Sequence, residues 1–254
     1  MGAADVNGRV AAVTGASSGI GAATAVALAA AGFETFAGAR RAQRIPKAER
    51  VNSLELDVTR PDSIDAFVDR VKTDAGRLDV LVNNAGIALG RDAVAVANDE
   101  EWRQMWETNV LGAMRMTRAF LPLLRSSAGH IVNIGSVSAF EVYPGGAGYN
   151  STKWAVRAFT LTLRLELNGE PIRITEVDPG LTETEFSLVR FKGDEARARK
   201  VYENTRALRG EDIADCIVFA VTRPRNVNVD ELVVRSIGEA TAYLMDRKPR
   251  WSLD

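Results

Sequence analysis

The chain has few of the side chains that most often carry acid–base, metal or redox chemistry: its 254 residues include one histidine and one cysteine. The histidine, His130, begins an apolar segment, so we expect neither a Ser-His-Asp triad nor a histidine-based metal site. The cysteine, Cys216, has no partner for a disulfide within the chain and is expected to be a small apolar residue of a helix. Its isolation fits a reducing compartment, so we expect a cytoplasmic protein. With one histidine we also expect no metal site.

Strong charge of one sign and long apolar runs are also absent. The formal net charge is −1, which gives no basic field to attract nucleic acid or an anionic membrane. No apolar run approaches the roughly 20 residues that a membrane-spanning helix needs, and Met1 to Val6 lack the features of a signal peptide. We therefore expect a small-molecule substrate, with neither nucleic acid nor a membrane as partner.

Short runs rich in Val and Ile alternate with longer amphipathic segments, which is the pattern of repeated βαβ units. The predicted strands are Arg9 to Thr14, Thr35 to Ala39, Ser53 to Asp57, Val80 to Asn83, His130 to Ile134, Ile172 to Val177 and Leu232 to Arg235. The predicted helices are Ile20 to Ala31, Asp62 to Ala75, Glu100 to Leu124, Tyr149 to Leu167 and Asp212 to Thr222. Because the strands are almost continuously apolar, both faces of the sheet must be covered. The sequence predicts an α/β fold of the Rossmann type, a doubly wound parallel seven-stranded sheet with helices on both faces, in a single domain over residues 1–254.

Several loops should meet at one edge of this sheet, because ligands of such sheets bind outside the carboxyl ends of the strands. Gly15, Asn83, Ser136 and Pro179 each fall at the end of a predicted strand. The polar stretch 181–209 lies beyond the sixth strand and is a candidate mobile lid over the substrate.

The segment Thr14 to Gly21 ends the first predicted strand and opens the first helix, with the spacing Gly-x-x-x-Gly-x-Gly. Glycines allow the backbone to approach a pyrophosphate closely, and the helix N-terminus offers free N–H groups and a positive dipole end. The alternative is a glycine-rich turn without a ligand, but the flanking strand and helix favour a cofactor site. The residues assigned to that site are Gly15, Ser17, Ser18, Gly19, Ile20 and Gly21.

The end of the second strand should select between NAD and NADP. A carboxylate there would bind the adenosine ribose hydroxyls and repel a 2′-phosphate. Here Arg40 and Arg41 follow the strand instead, and guanidinium groups bind phosphate by bidentate hydrogen bonds. The alternative is that these arginines, together with Arg44, form a solvated loop. The missing acid favours NADP(H) as the cofactor.

Two further segments are assigned to the cofactor. Asp57 is the last residue of the third predicted strand and Val58 follows it. In this position Asp57 can face the adenine amino group. Asn83, Ala85 and Gly86 belong to the run Asn-Asn-Ala-Gly at the end of the fourth strand. This run can line the ribose or brace the sheet, and both roles stay open.

Tyr149 and Lys153 are the most informative pair in the chain, because residues four apart on a helix share one face. The ammonium there can favour ionisation of the phenol, whose unperturbed pKa is about 10. Ser136 can donate to a substrate carbonyl oxygen while Tyr149 acts as general acid or base. Asn109, a poor helix former inside a predicted helix, can kink that helix and hold a water that passes protons from Lys153; a satisfied buried amide is the alternative. These four residues predict a nicotinamide-dependent oxidoreductase.

The chain resembles the short-chain dehydrogenase/reductase family over essentially its whole length. The motifs that match are Thr14 to Gly21, Asn83 to Gly86, the tetrad Asn109, Ser136, Tyr149 and Lys153, and Pro179-Gly180 followed by Thr184. The resemblance implies that Tyr149 and Lys153 also bind the cofactor, and that its nicotinamide end meets Pro179, Gly180, Thr182 and Thr184. It further implies a strand order of 3-2-1-4-5-6-7 and a homotetramer (or homodimer) built partly through the two long helices.

A narrower resemblance, to the NADP-dependent 3-hydroxy acid dehydrogenases, rests on residues 84–90, 183–194, 202–205 and 226–229. It implies oxidation of serine, allo-threonine and 3-hydroxyisobutyrate. A substrate carboxylate would need a cation, and Arg190 and Lys192 on the predicted lid are candidates by charge. Solvated loop charges explain both residues equally well, so the carboxylate site stays open.

Three other functions compete with this one. A general carbonyl reductase would act on hydrophobic ketones. An NADP-sensing regulatory protein would bind without turnover, and it would not need Ser136, Tyr149 and Lys153 to be intact together, as they are here. A sugar-nucleotide epimerase or dehydratase would usually carry a larger C-terminal domain and a Gly-x-x-Gly-x-x-Gly turn, and this chain has neither.

Overall fold

A parallel sheet of seven strands forms the centre of the computed structural model, which describes residues 7–248. Its strands are β1 (Val10–Thr14), β2 (Glu34–Ala39), β3 (Val51–Glu55), β4 (Val80–Asn83), β5 (His130–Ile134), β6 (Arg173–Pro179) and β9 (Glu231–Val234). A separate parallel pair consists of β7 (Thr182–Glu183) and β8 (Leu208–Arg209). The order across the large sheet is β3-β2-β1-β4-β5-β6-β9, with every neighbouring pair parallel. The predicted fold class and the implied strand order are confirmed.

Eight α-helices accompany the sheets within residues 7–248: α1 (Gly19–Ala30), α2 (Pro61–Ala75), α3 (Asp99–Trp106), α4 (Gly112–Ser127), α5 (Ala147–Glu166), α6 (Phe186–Arg190), α7 (Glu195–Tyr202) and α8 (Gly210–Val221). Local sequence explains several of their ends. Pro61 opens α2, where a missing N–H costs nothing, and Gly76 ends it with φ of 68°. The Asn98 side chain accepts hydrogen bonds from the N–H groups of Glu100 and Glu101 and so caps α3.

The core lies in two layers, one on each face of the sheet. Alternate residues of β1 separate the layers, because successive side chains of a strand point to opposite faces. Ala11 and Val13 pack with residues of α1 and α8, such as Leu28 and Ile213. Val10 and Ala12 pack with residues of α2, α4 and α5: Phe67, Phe120 and Leu163. Both faces are therefore covered, as the apolar strands predict.

The helix predicted from Glu100 to Leu124 is interrupted in the structure. Between α3 and α4 lies one π-helical turn, Glu107–Leu111, which contains Asn109. The side-chain amide of Asn109 bonds to the backbone of Ile87 on a neighbouring loop, and this bonding holds the asparagine inward. π-turns inside α-helices occur often at functional sites.

Two strands have boundaries that differ by two residues from the prediction, and the pairing explains both; the other strand boundaries agree to within one residue. The third strand spans Val51–Glu55 because Val51 pairs with Thr35 and Glu55 with Ala39, which leaves Asp57 beyond the strand. The sixth strand continues to Pro179, which pairs with Val234.

The segment predicted as a lid, residues 181–209, is folded. It contains α6 and α7, and its two ends are tied together where Thr182 pairs with Leu208 and Glu183 with Arg209. The two short helices thus lie between the paired strands β7 and β8, which follow the carboxyl end of β6. Its role as a mobile lid stays a prediction.

The single histidine and the single cysteine lie away from the carboxyl edge of the sheet. His130 begins β5, is fully buried and bonds through Nε2 to Thr175 Oγ1 at 2.7 Å. Burial is the main reason that its pKa lies well below the usual value, so it stays neutral. Cys216 is half-buried on α8, where burial raises the pKa of its thiol. Across residues 7–248, no helix is both long and apolar enough to cross a bilayer.

Candidate active site

A cavity of about 620 Å³ opens at the carboxyl ends of the parallel strands. Loops after all seven strands of the large sheet line it together with the segment 181–209. Most of the predicted site residues line this one cavity: Gly15, Ser17, Ser18, Gly19, Ile20, Arg40, Arg41, Asp57, Val58, Ala85, Gly86, Ser136, Tyr149, Lys153, Pro179, Gly180, Thr182 and Thr184. Three do not line it: Gly21, Asn83 and Asn109.

The glycine turn at one end of the cavity has a shape that only glycine permits. Gly15 and Gly19 have φ of 70° and 55°, in the left-handed region. A Cβ atom at Gly15 would lie 2.8 Å from Ala85 Cα, and one at Gly19 would lie 2.9 Å from Thr184 Cγ2. Gly21 sits behind the turn, where a Cβ would overlap the side-chain amide of Asn84. The turn leads directly into α1, whose N-cap residue Ser18 makes no side-chain cap, so the first N–H groups face the cavity end without a capping side chain.

The two asparagines at the end of β4 have different roles. Asn83 is buried, and its Nδ2 donates to Thr117 Oγ1 and Asn133 Oδ1, both at 2.9 Å. Asn84 instead braces the glycine turn, because its Nδ2 donates to the carbonyl oxygen of Thr14 at 2.8 Å. Asn83 therefore ties strands to α4, while its neighbour supports the turn. Alternation along a strand predicts that the two face opposite ways, but only the fold shows which one reaches the turn.

The arginines after β2 stand at the same end of the cavity. Arg40 is exposed, and within residues 7–248 it has no hydrogen-bond or ion-pair partner. Arg41 and Arg44 both bond to the carboxylate of Glu185, Arg41 at 2.9 Å. The strand ends at Ala39, so no carboxylate takes the position from which one would repel a 2′-phosphate.

Asp57 and Val58 line the cavity between the arginines and the centre of the sheet. Asp57 Oδ1 accepts hydrogen bonds from the N–H and the hydroxyl of Thr59, at 3.0 and 2.7 Å. Val58 is buried against Gly112, where an added Cβ would lie 2.7 Å from its side chain. The pair thus presents a fixed carboxylate beside an apolar wall.

Ser136, Tyr149 and Lys153 meet at the other end of the cavity. Ser136 opens a short 3-10 turn after β5, and its Oγ accepts from the N–H of Ser138 at 3.1 Å. Tyr149 lies in the first turn of α5, and Lys153 follows one turn later on the same face. Lys153 is buried, donates to the carbonyl oxygen of Ile134 at 2.8 Å, and holds Nζ 5.8 Å from the centre of the Tyr149 ring.

Burial dominates the ionisation of both groups. It raises the pKa of Tyr149, while the charge of Arg190 and a hydrogen bond with Ser136 act in the opposite direction. It lowers the pKa of Lys153 to about 8, against the charges of Asp178 and Glu176. Arg190 is thus a nearby cation whose charge lowers the pKa of Tyr149, and spacing along the chain does not connect the two residues. The ammonium of Lys153 donates to the Ile134 carbonyl, and its role in favouring the phenolate stays a prediction.

Asn109 contacts the loop after β4 rather than the cavity. Its Oδ1 accepts from the N–H of Ile87 at 2.7 Å, and its Nδ2 donates to the Ile87 carbonyl at 2.8 Å and to Thr152 Oγ1 at 3.0 Å. The side chain is a satisfied buried amide, the alternative that the sequence left open. A Cβ at Gly86 would lie 3.4 Å from Asn109 Oδ1 and 3.8 Å from Lys153 Nζ, so the two residues flank the same glycine. A role for Asn109 in holding a water stays a prediction.

Residues of the segment 181–209 complete the catalytic end. Phe186 packs edge-on against the Tyr149 ring, with centroids 5.4 Å apart. The guanidinium of Arg190 lies 5.1 Å from the centre of the same ring, and its Nη2 donates to the hydroxyl of Tyr143 at 3.0 Å. Lys192, the other cationic candidate, pairs with Glu101 and does not line the cavity.

Asp178, at the end of β6, is a buried carboxylate directly behind Ser136. Its Oδ1 accepts from the Ser136 N–H at 2.8 Å, and a Cβ at Gly135 would overlap it. One of its oxygens lies within 4.8 Å of one oxygen each of Glu176 and Glu231, and those two oxygens are equally close to each other. Burial and the charge of Glu176 raise the pKa of Asp178. No pattern in the sequence predicts this role of Asp178, because an aspartate at the end of a strand has no spacing or motif that indicates its contacts.

Comparison with known proteins matches the geometry. The family model described as short chain dehydrogenase matches residues 9–195. An uncharacterized oxidoreductase of Mycobacterium tuberculosis is 52% identical over 236 residues, 92% of this chain and 93% of that protein. The NADP-dependent 3-hydroxy acid dehydrogenase of Schizosaccharomyces pombe is 44% identical over 240 residues, 90% of this chain and 93% of that protein.

Among solved structures, the closed form of serine dehydrogenase complexed with NADP⁺ superposes with a TM-score of 0.88 at 37% identity, covering 92% of this chain and 97% of that chain. A serine dehydrogenase from Escherichia coli gives a TM-score of 0.78 at 31% identity, over 91% of this chain and 99% of that one. Together with the folded cavity and its Ser-Tyr-Lys group, these matches confirm the resemblance that the motifs indicate. The chain belongs to the short-chain dehydrogenase family and is an oxidoreductase.

Proposed function

We propose that the protein transfers a hydride between NADP(H) and the carbinol or carbonyl carbon of a small 3-hydroxy acid or its keto form, with Tyr149 as general acid and base. The observation that carries this proposal is the position of Arg190. Its guanidinium lies beside the Tyr149 ring in the same cavity as Ser136, so one cavity offers a proton donor, an oxyanion donor and a cation for a carboxylate.

The residues at the glycine end fit a phosphorylated dinucleotide. The turn at Gly15 and Gly19 lacks the side-chain atoms that would fill the space next to the backbone, and α1 begins there with uncapped N–H groups. We assign the pyrophosphate to this turn and the 2′-phosphate to Arg40 and Arg41. The Asp57–Val58 pair is assigned to the adenine. Two of the similar proteins, the 3-hydroxy acid dehydrogenase of Schizosaccharomyces pombe and the solved serine dehydrogenase, are named with NADP, which supports the same choice.

At the catalytic end, NADP(H) when bound supplies or accepts the hydride. Tyr149 holds the proton that passes to or from the substrate oxygen. Because burial raises its pKa, the phenol is protonated near neutrality, which is the form needed to protonate the oxygen of a ketone during reduction. Ser136 donates to the same oxygen, and its own Oγ is oriented by the N–H of Ser138. Oxidation needs the phenolate and should accelerate as the pH rises.

The carboxylate of the substrate is assigned to Arg190, with Tyr143 as its support. A guanidinium binds a carboxylate by paired, charge-assisted hydrogen bonds. The bond from Arg190 Nη2 to the Tyr143 hydroxyl fixes the orientation of the guanidinium, and its Nε is buried without a hydrogen-bond partner among the described residues. Lys192 forms an ion pair with Glu101 and does not line the cavity, so of the two cations on this segment Arg190 is the better candidate for the substrate carboxylate.

Assembly is proposed from the exposed apolar side chains of α5 and of the π-turn before α4. Trp154, Leu161 and Leu165 are 48%, 45% and 80% exposed on α5, and Leu111 is 37% exposed. Such a group of exposed large apolar residues is typical of an interface between subunits. A homotetramer (or homodimer) that pairs these helices would bury them, and a cytoplasmic location is the setting we propose for it.

The test is the change in absorbance at 340 nm with NADP⁺ or NAD⁺ and a panel of alcohols. We expect NADP⁺ reduction with serine and other 3-hydroxy acids, faster at pH 9 than at pH 7. Activity restricted to a hydrophobic alcohol would instead make the protein a general carbonyl reductase. Tight NADP⁺ binding without turnover on the whole panel would favour an NADP-sensing regulatory protein.

A further inference from the structure

Glu185 connects the predicted lid to the arginines after β2. Its Oε2 lies 2.9 Å from Arg41 Nη2, and its other oxygen pairs with Arg44. The two arginine side chains are 44% and 45% exposed and the glutamate is 32% exposed. Arg41 and Glu185 line the cavity, and Arg44 completes the cluster beside them, outside the lining. One carboxylate thus bridges two guanidinium groups that come from a part of the chain more than 140 residues away.

The ionised form of Glu185 is the one that this cluster holds. Hydrogen bonds from Arg44 and Arg41 lower the pKa of its carboxyl group, against the effect of burial. At neutral pH the cluster therefore contains an anion between Arg41, a cation of the proposed 2′-phosphate site, and the neighbouring Arg44. Arg40, one position earlier, has no such partner within residues 7–248.

The neighbours of Glu185 reach the two other parts of the site. Thr184 lies against the glycine turn, where a Cβ at Gly19 would come within 2.9 Å of its Cγ2. Phe186, the first residue of α6, packs on the ring of Tyr149. Three consecutive residues therefore touch the glycine turn, the arginines and the catalytic tyrosine. A movement of Glu185 is therefore expected to shift its neighbours Thr184 and Phe186 as well.

We propose that Glu185 limits the affinity for NADP(H) by occupying Arg41 and Arg44 as an internal anion that the 2′-phosphate of NADP(H) displaces. This inference rests on the proposed function, in which the arginine loop binds that phosphate. A phosphate with its greater negative charge attracts both guanidinium groups more strongly than one carboxylate does, and two anions at the same pair of cations repel each other. Arg40 is available for the first contact, and the exchange at Arg41 and Arg44 follows.

A cofactor without the 2′-phosphate has nothing to displace Glu185. With NAD(H), the ion pairs to Arg41 and Arg44 persist and α6 keeps its tie to the arginine loop. With NADP(H), these ion pairs break, and α6 is no longer held to the arginine loop at the residue next to Phe186. Only the phosphorylated cofactor therefore frees the segment that packs on Tyr149. Glu185 thus weakens NADP(H) binding slightly and links that binding to the catalytic end.

The test is calorimetric titration of NADP⁺ and NAD⁺ into the wild type and two variants. Glu185→Gln removes the competing charge, and Glu183→Gln removes the same charge two residues earlier at an exposed position with no side-chain partner in the described structure. We expect Glu185→Gln to bind NADP⁺ about three- to tenfold more tightly, the scale of two half-exposed ion pairs. NAD⁺ affinity should stay within about twofold, and Glu183→Gln should behave as the wild type.

The double variant Arg41→Ala/Arg44→Ala, made alone and together with Glu185→Gln, tests two claims separately. One claim is that the arginine loop binds the 2′-phosphate, and the other is that Glu185 competes with it. The double arginine variant should bind NADP⁺ more weakly, and adding Glu185→Gln should then change nothing. If the arginine variant bound NADP⁺ as the wild type does, the phosphate assignment would fail. If it bound weakly but Glu185→Gln in the intact background gave unchanged or weaker NADP⁺ binding, the displacement by phosphate would be wrong while the assignment stood.

Discussion

The two ends of the cavity are built differently. At the glycine end the surface is mostly backbone, shaped by contacts that leave no room for a Cβ, and its charged groups are partly exposed arginines with the carboxylates of Asp57 and Glu185 beside them. At the catalytic end the surface is made of side chains, and Tyr149, Lys153 and Asp178 all have pKa values displaced mainly by burial. Cofactor binding at the glycine end therefore depends on the shape of the backbone and on charges screened by solvent. The ionisation of the groups at the catalytic end depends on their removal from water. Changes at the two ends should be separable in experiment.

The largest effect should come from Tyr149→Phe, which removes the proton donor and keeps the ring that packs on Phe186. We expect turnover to fall by about 10²–10⁴-fold, the usual contribution of a general acid or base. NADP⁺ affinity, measured by calorimetry, should stay within about twofold of the wild type because the glycine end is untouched. Wild-type turnover in this variant would remove Tyr149 from the mechanism.

A smaller effect is expected at the other end from Arg40→Asp. The substitution places a carboxylate where one would repel a 2′-phosphate and bind ribose hydroxyls. We expect the ratio of kcat/KM for NADPH over NADH to fall by about 10- to 100-fold, in line with the loss of a charge-assisted hydrogen bond and the gain of repulsion. kcat at saturating cofactor should change little. A constant ratio would show that the phosphate binds elsewhere.

The smallest effect should be one of stability, from Asp178→Asn. Since the folded protein raises the pKa of Asp178, it binds a proton that the unfolded chain releases, and this contribution is greatest at acid pH and is lost as pH rises toward the raised value. Asn removes the titration and can still accept from the Ser136 N–H. We expect the variant to gain a few degrees in Tm over the wild type at pH 8 and less at pH 5.

Thermal unfolding of both proteins across pH 5 to 8 checks this prediction. The groups facing Asp178 are Glu176 and Glu231, with Arg157 paired to Glu231 and Lys153 nearby. A Tm difference that does not grow between pH 5 and pH 8 would mean that Asp178 is already ionised in the folded protein throughout this range.

The same contrast explains how far the sequence could be interpreted. The glycine turn and the Tyr149–Lys153 pair are local, so spacing predicts them, whereas the strand order comes only from the resemblance to the family. The pairing of Glu185 with Arg41 joins residues 144 positions apart, and no local pattern indicates it. Arg190 was a candidate by charge alone until the fold placed it on the ring of Tyr149. Asn83 and Asn84 are adjacent and chemically identical, yet only Asn84 reaches the glycine turn.

The central claim is that the chemical end recognises a carboxylate through Arg190. The direct test compares kcat/KM for a 3-hydroxy acid and its methyl ester in the wild type, in Arg190→Ala and in Lys192→Ala. The ratio of acid to ester is the quantity to follow, because Arg190 also lowers the pKa of Tyr149 and its loss should slow both substrates alike.

We expect the wild type and Lys192→Ala to prefer the acid by about 10- to 100-fold, the scale of a hydrogen-bonded charge pair, and Arg190→Ala to lose that preference. An unchanged preference in Arg190→Ala, or none in the wild type, would contradict the account.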